Sequence, residues 1–137
     1  MRKLNFILSF VSIAFFVVSC GSANEAEKFG TEFHEYFKAR DYENMVSMIS
    51  EKGLNATPKE EWIGLFKNVN EKAGDLKSYK KTNFHTSINN GITKVVLSYD
   101  IEIGENKFYE KIYFEKHGET YKINMYEFNK DKSKLSE

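Results

Sequence analysis

The stretch SYKKTNFHTSINNGITKVVLSYDIEIGENKFYEKIYFEKHGETYKINMYEF, residues 78–128, decides the fold. Its runs of alternating apolar and polar residues are punctuated by three tight turns. Asn90-Gly91 is the strongest short-range hairpin signal a sequence offers, because both central positions of a type I′ turn need positive φ. Glu105-Asn106 and His117-Gly118 read as two more two-residue loops. Counting outward from these centres sets the expected registers. Ile88 then faces Thr93, Thr86 faces Val95 and Phe84 faces Leu97. Across the second turn Ile103 faces Phe108, Ile101 faces Glu110, Tyr99 faces Ile112 and Leu97 faces Phe114. Across the third, Phe114 faces Tyr121, Ile112 faces Ile123 and Glu110 faces Met125. All three hairpins place one nearly apolar face on the same side of a four-stranded antiparallel meander. A slip of one residue in any of them would turn that face over.

Working outward, 137 residues allow one domain. Lys and Arg number 20 against 20 Asp and Glu. Without the first 19 residues, which contain Arg2 and Lys3, the balance is 18 against 20, about −2. That balance makes no electrostatic case for nucleic acid or for an anionic membrane surface. The abundance of Phe and Tyr suits a β-containing core and argues against disorder.

At the N-terminus, Arg2-Lys3 precedes a mostly apolar run, residues 4–18, which closes on Val17-Val18-Ser19-Cys20. A run this short with a basic start reads as a secretory signal, not as a spanning helix. The closing residues resemble the lipobox of bacterial lipoproteins. The resemblance implies that residues 1–19 are removed, that Cys20 carries a diacylglycerol thioether, and that its new amine is acylated. Two or three acyl chains anchor a protein stably where one does not. The lipid bilayer is therefore the expected partner and the cell envelope the expected location. Gly21 in place of an aspartate favours the outer membrane if the source is Gram-negative. Cys20 is the one cysteine, so no disulfide can form within the chain.

Residues 20–24 read as a lipidated tether, and residues 25–128 as a single α+β domain. Ala26, Phe29, Phe33, Tyr36 and Phe37 form one face of a first helix over residues 25–39. Asp41 caps a second helix that buries Tyr42, Met45, Val46 and Ile49. Residues 50–56 read as a loop. Thr57-Pro58-Lys59-Glu60 reads as a capping box with proline at the first helical position. It opens a third helix carrying Trp62, Leu65, Phe66 and Val69, which ends near Gly74. Residues 129–137 are a charged tail, expected to fray. Helices with apolar stripes before a sheet with one apolar face predict two layers, the helices lying across a curved four-stranded meander.

The order of these parts resembles the cystatin-like cone of the nuclear transport factor 2-like superfamily, in particular its small lipoproteins of unknown function. The residues that carry the likeness are Ala39-Arg40-Asp41-Tyr42 leading into Met45-Val46, the strand Phe108-Tyr109-Glu110-Lys111-Ile112, and Gly118-Glu119-Thr120-Tyr121-Lys122-Ile123 followed by Met125-Tyr126. Tyr121 stands where tryptophan is commoner. The superfamily holds isomerases, dehydratases, transport factors and non-catalytic binders, so membership implies a cavity more than a reaction.

The chain contains no phosphate loop, nucleophile elbow or HExxH motif, and its three histidines show no metal spacing. No cofactor is expected, and nucleic acid is not an expected partner. His34, His85 and His117 all read as solvated. Glu110 differs, because the registers place it in the middle of the apolar face. There a carboxylate must be paired, hydrated in a cavity, or protonated. Lys80 is the expected partner in the same cross-sheet row. Tyr99, Tyr121 and Met125 complete the candidate pocket, with Glu127 nearer the rim. The favoured reading is a non-enzymatic module that binds a small apolar ligand or an envelope protein. The alternative is a small lyase or isomerase with Glu110 as acid or base and Tyr99 or Tyr121 as hydroxyl donor. An enzyme would keep the space above Glu110 open. An interaction module would fill it with Trp62, Phe66 and the phenylalanines of the first helix.

Overall fold

The computed structural model describes residues 18–137, with side chains from residue 21 onward. The signal segment and the acylation of Cys20 lie outside the described residues. Four helices, α1 Val18–Lys38, α2 Tyr42–Ser47, α3 Glu51–Ala56 and α4 Lys59–Ala73, precede strands β1 Leu76–Asn89, β2 Ile92–Ile103, β3 Asn106–His117 and β4 Thr120–Asn129. The strands form one antiparallel meander in the order β1-β2-β3-β4, and the helices pack on one face of this curved, open sheet. The expected α+β architecture is the one observed.

Helix α1 takes in the stretch read as a tether. Its buried stripe is Ala23, Ala26, Gly30, Phe33, His34 and Phe37, spaced three and four apart, as a helix lying on a sheet requires. The helix ends in a Schellman turn. Arg40 N–H bonds the Phe37 carbonyl at 3.1 Å, and Asp41 N–H bonds the Tyr36 carbonyl at 2.9 Å. Asp41 then caps α2, accepting from Asn44 N–H at 3.2 Å.

Residues 50–56, read as a loop, form α3 because Ser50 Oγ accepts from Gly53 N–H at 3.0 Å. Thr57 ends α3, so it does not cap α4. That helix starts at Lys59 after Pro58, with no side-chain cap. Trp62 and Phe66 of α4 are buried as expected, whereas Leu65 is exposed. Between α2 and α3 the chain makes a parallel bridge to β4. Ser50 N–H bonds the Ile123 carbonyl at 2.8 Å, and Ile123 N–H bonds the Met48 carbonyl at 2.9 Å. This bridge covers part of a sheet edge that would otherwise be free to recruit another strand. The tail carries a short 3-10 turn, Lys132–Lys134, and Ser136 Oγ donates to Glu127 at 2.6 Å.

The first hairpin has the expected register, with Ile88 opposite Thr93, Thr86 opposite Val95 and Phe84 opposite Leu97. The other two are each displaced by two residues. Ile103 faces Asn106, Ile101 faces Phe108, Tyr99 faces Glu110, Leu97 faces Ile112 and Val95 faces Phe114. The second turn is centred on Gly104-Glu105, with Gly104 at φ +60°, as a turn with glycine in its first central position demands. The third centres on Gly118-Glu119, so Lys116 faces Tyr121 and Phe114 faces Ile123.

Three bulges alter the pattern further, the first at Lys77 at the start of β1. A second, at Thr82 in β1, moves Lys80 opposite Asp100 and Tyr79 opposite Ile101. Another at Asn124 in β4 places Met125 opposite Tyr113, Tyr126 opposite Ile112 and Phe128 opposite Glu110. Each adds one residue to one strand and so exchanges the faces beyond it. Asn124 is held from two sides: it accepts from Ser50 Oγ at 2.5 Å and donates to Glu115 at 2.6 Å.

Candidate functional site

Glu110 is buried in the middle of the covered face, with no side-chain exposure. Both of its oxygens are engaged by protein groups. His34 Nε2 lies 2.6 Å from Oε1, and the Tyr126 hydroxyl donates to Oε2 at 2.5 Å. Such short contacts are expected where a charged acceptor meets good donors away from water. The histidine comes from α1 and the carboxylate from β3. Tyr126 comes from β4, just beyond the bulge that turns it inward.

Of the expected pocket residues, Glu110 and Tyr99 meet. Tyr99 is directly opposite Glu110 on β2 and buried. Lys80 is exposed on the other face and does not reach Glu110; His34 takes its place. Met125 is 42% exposed, and Tyr126 occupies the inward position assigned to it. Tyr121 is buried but sits opposite Lys116, six positions along β3 from Glu110, roughly 20 Å away at strand spacing. Its ring packs on Phe29 and Phe114. Glu127 faces outward, where Tyr113 donates to it at 2.8 Å. His85 and His117 are exposed, as expected, while His34 is fully buried, contrary to expectation.

His34 is positioned by aromatic rings. Tyr79 stacks on it with centroids 4.3 Å apart and planes 15° apart, and Tyr99 meets its edge at 4.6 Å. The Tyr79 hydroxyl donates to Glu35 at 2.9 Å, which ties the stacked ring to α1. That bond holds the Glu35 carboxyl below its ordinary pKa, with Lys38 adding to the effect. Tyr99 fits because Gly30 stands over it: a β-carbon at that position would lie 2.4 Å from the Tyr99 hydroxyl. Burial, then the charge of Glu110, pushes the Tyr99 hydroxyl up beyond the ordinary phenol range. The same two causes, with the direct hydrogen bond, push Tyr126 well up.

The space above the carboxylate is occupied by rings. Phe33 lies 5.6 Å from Phe66 and 5.5 Å from Tyr126, and Phe66 lies 5.5 Å from Tyr126 and 5.8 Å from the stacked Trp62. Two polar atoms near the same turn of α1, His34 Nδ1 and the Tyr99 hydroxyl, have no hydrogen-bond partner. Chemically, the arrangement holds a carboxylate in a fixed position between a histidine and a phenol. Among the described residues no group of His, Cys, Asp and Glu is arranged to hold a metal ion. No described helix is long and apolar enough to cross a membrane.

One signal for His34 was present in the sequence. Ala26, Gly30 and His34 follow at intervals of four, a row in which two small residues let the sheet approach the helix. No comparable signal marks Tyr126, because its orientation depends on the bulge.

The fold is shared with a solved structure, that of Bd1075 from Bdellovibrio bacteriovorus. The TM-score is 0.56 at 19% sequence identity, over 77% of this chain and 39% of that one. This chain therefore matches well under half the length of that protein, and at this identity the likeness is one of fold. No family model and no curated protein sequence matches the chain.

Proposed function

We propose that this chain is a lipid-anchored envelope module that works through its surface and carries out no catalysis. The observation that carries the reading is the closure of Glu110. Both oxygens are held by His34 and Tyr126, and aromatic rings fill the space a substrate would need. A general base must lie within hydrogen-bond reach of a substrate proton. Here the carboxylate instead joins α1 to β3 and β4. The anchor in this reading is acylated Cys20, with the outer membrane favoured in a Gram-negative source. The nuclear transport factor 2-like resemblance fits the helix-on-meander order, with the cone filled.

The test is mass spectrometry of protein extracted from its own host, denatured and native, combined with carbodiimide coupling of carboxyl groups. The expected result is acyl mass on Cys20, no retained small molecule, and Glu110 unlabelled until the protein unfolds. A stoichiometric small molecule lost on Glu110→Gln, or labelling of Glu110 in the folded protein, would overturn the closed-module reading. It would restore the isomerase or lyase alternative. Absence of acyl mass would overturn the anchor alone.

A further inference from the structure

The overall charge balance conceals a local asymmetry. From Leu76 to Tyr99 the chain contains Lys77, Lys80, Lys81 and Lys94 and no Asp or Glu. This span is nearly the whole β1–β2 hairpin. Its distal half also bears the largest solvent-exposed apolar side chains of the sheet's first edge: Phe84 is 44% exposed, Ile88 64% and Ile92 40%. Ile88 shares the covered face with Val95 and Leu97 but lies beyond the helices, and Ile92 is on the opposite face. The tip is thus apolar on both sides of a polar Asn89-Asn90-Gly91 turn.

Of these lysines Lys94 is the one near the tip; Lys77 adjoins the far turn, and Lys80 and Lys81 are opposite Asp100 and Tyr99. Lys81 pairs with Glu27 of α1. Lys94 is opposite Glu115, but that carboxylate accepts from Asn124 at 2.6 Å and lies 3.5 Å from His117. Lys80 is opposite Asp100, which pairs with Lys107 at 3.1 Å.

The position of the hairpin adds a second observation. The start of α1 is at the same end of the sheet as the tip, because Glu25 pairs with Lys116 at 3.2 Å, beside the β3–β4 turn. Cys20 is five residues before Glu25 on the same helix, about 7.5 Å along its axis. An acyl anchor there would bring the bilayer to the end of the molecule from which the hairpin projects.

We infer that the β1–β2 hairpin is a second membrane contact: Phe84, Ile88 and Ile92 enter the headgroup boundary of an anionic leaflet, with Lys94 against lipid phosphates. The inference rests on the lipid anchor proposed above. Exposed apolar residues with a lysine beside them suit the interfacial layer, and a lipid anchor is commonly reinforced by a second contact of this kind. The contact would fix the orientation of the domain, leaving the opposite end, with the Gly104-Glu105 turn, directed away from the lipid.

The experiment places one probe at each end. With Cys20 acylated, Ile88→Cys supplies a single thiol for an environment-sensitive fluorophore, and Glu105→Cys supplies the control at the far end. The full lipidated protein is reconstituted into vesicles of neutral phosphatidylcholine, or of phosphatidylcholine with about a third phosphatidylglycerol. In anionic vesicles the probe at 88 should shift to the blue and be quenched by spin-labelled lipid, whereas the probe at 105 should not. Half-molar salt should reverse the effect, and Lys94→Gln should lower occupancy about fivefold. Equal behaviour at the two positions, or equal quenching in neutral and anionic vesicles, would overturn the inference. So would retention of the hairpin by an acidic polysaccharide with no quenching by lipid. If Cys20 proves unacylated, the anchor reading falls. The hairpin is then judged by adding the protein with its Cys20→Ser substitution to the same vesicles, where absence of quenching overturns it independently.

Discussion

Replacing His34 and Glu110 singly and together tests whether the buried cluster acts as a unit. His34→Leu leaves Glu110 with no side-chain exposure and with Tyr126 as its one remaining side-chain partner. Breaking a buried pair in this way costs about 3–5 kcal/mol, because the remaining charge is uncompensated. Glu110→Leu leaves a buried imidazole whose Nδ1 already has no hydrogen-bond partner, and removes the partner of Nε2, for about 1–3 kcal/mol. In the double variant an apolar pair faces an aromatic surround, and the cost that remains is the lost acceptor of the buried Tyr126 hydroxyl, about 1–3 kcal/mol. Exchange of the pair itself should add little, since well-packed apolar groups often replace buried ion pairs at little cost. The cycle therefore predicts a coupling of about 3–5 kcal/mol, at or above the upper end of measured pairs. For a domain near 100 residues a loss of that size lowers Tm by more than ten degrees. Urea unfolding followed by the fluorescence of Trp62, which is buried and stacked on Phe66, supplies the four free energies. If the two single losses simply add in the double variant, His34 and Glu110 are not coupled and the closure argument for a non-catalytic interior fails.

Gly30→Ala should destabilise the protein by about 1–3 kcal/mol through collision with the Tyr99 hydroxyl, and Tyr99→Phe should rescue most of that loss; failure of the rescue in thermal melts would place the clash elsewhere. Lys80→Met and Met125→Lys should each stay within about 0.5 kcal/mol of the parent in urea titrations, because both side chains are on the outer face. A large loss at either would mean that the corresponding bulge is absent. At alkaline pH the raised tyrosines decide the sign. Burial and the bond to Glu127 push Tyr113 up to about 12, and Tyr126 is raised by burial and by Glu110. Their contribution is complete below the ordinary phenol value near 10 and disappears as pH rises through the folded values. Urea midpoints should therefore fall above about pH 10, and Tyr126→Phe should flatten that fall.

The architecture was legible because two periodicities met at Gly74: helical stripes before it and strand alternation after it. The first hairpin register was legible for a more local reason, since Asn90-Gly91 permits one turn geometry and both residues sit at positive φ. The second and third registers were each missed by two residues. In both, glycine occupies the first turn position, at Gly104 and at Gly118, whereas the expected centres lie one residue later in the second turn and one residue earlier in the third. An even slip preserves which side chains share a face, so the agreement of the apolar faces could not expose it. Helix α3 was missed because its apolar content is small, and its cap, Ser50, also bonds to Asn124 on a strand more than seventy residues away.

The composition of the site was much less legible, and the bulges are the reason. A bulge exchanges inward for outward beyond it, so one extra residue at Thr82 replaced Lys80 by Tyr79 in the covered layer, and one at Asn124 replaced Met125 by Tyr126. Neither bulge is carried by glycine, and neither can be read from strand alternation, because β1 and β4 remain polar or aromatic on both sides. Asn124 becomes a bulge through Ser50 and Glu115, and Tyr79 is held inward by stacking on His34; both are contacts between elements distant in sequence. The two bulges also act together on the chemistry. With both strands regular, the alternation would direct a lysine and a methionine toward Glu110. With both bulged, it directs two phenols, one stacking on the histidine and the other bonding the carboxylate. Each oxygen of the buried carboxylate is consequently bonded by a side chain, and Glu110 joins α1 to β3 and β4 as a fixed contact between helix and sheet.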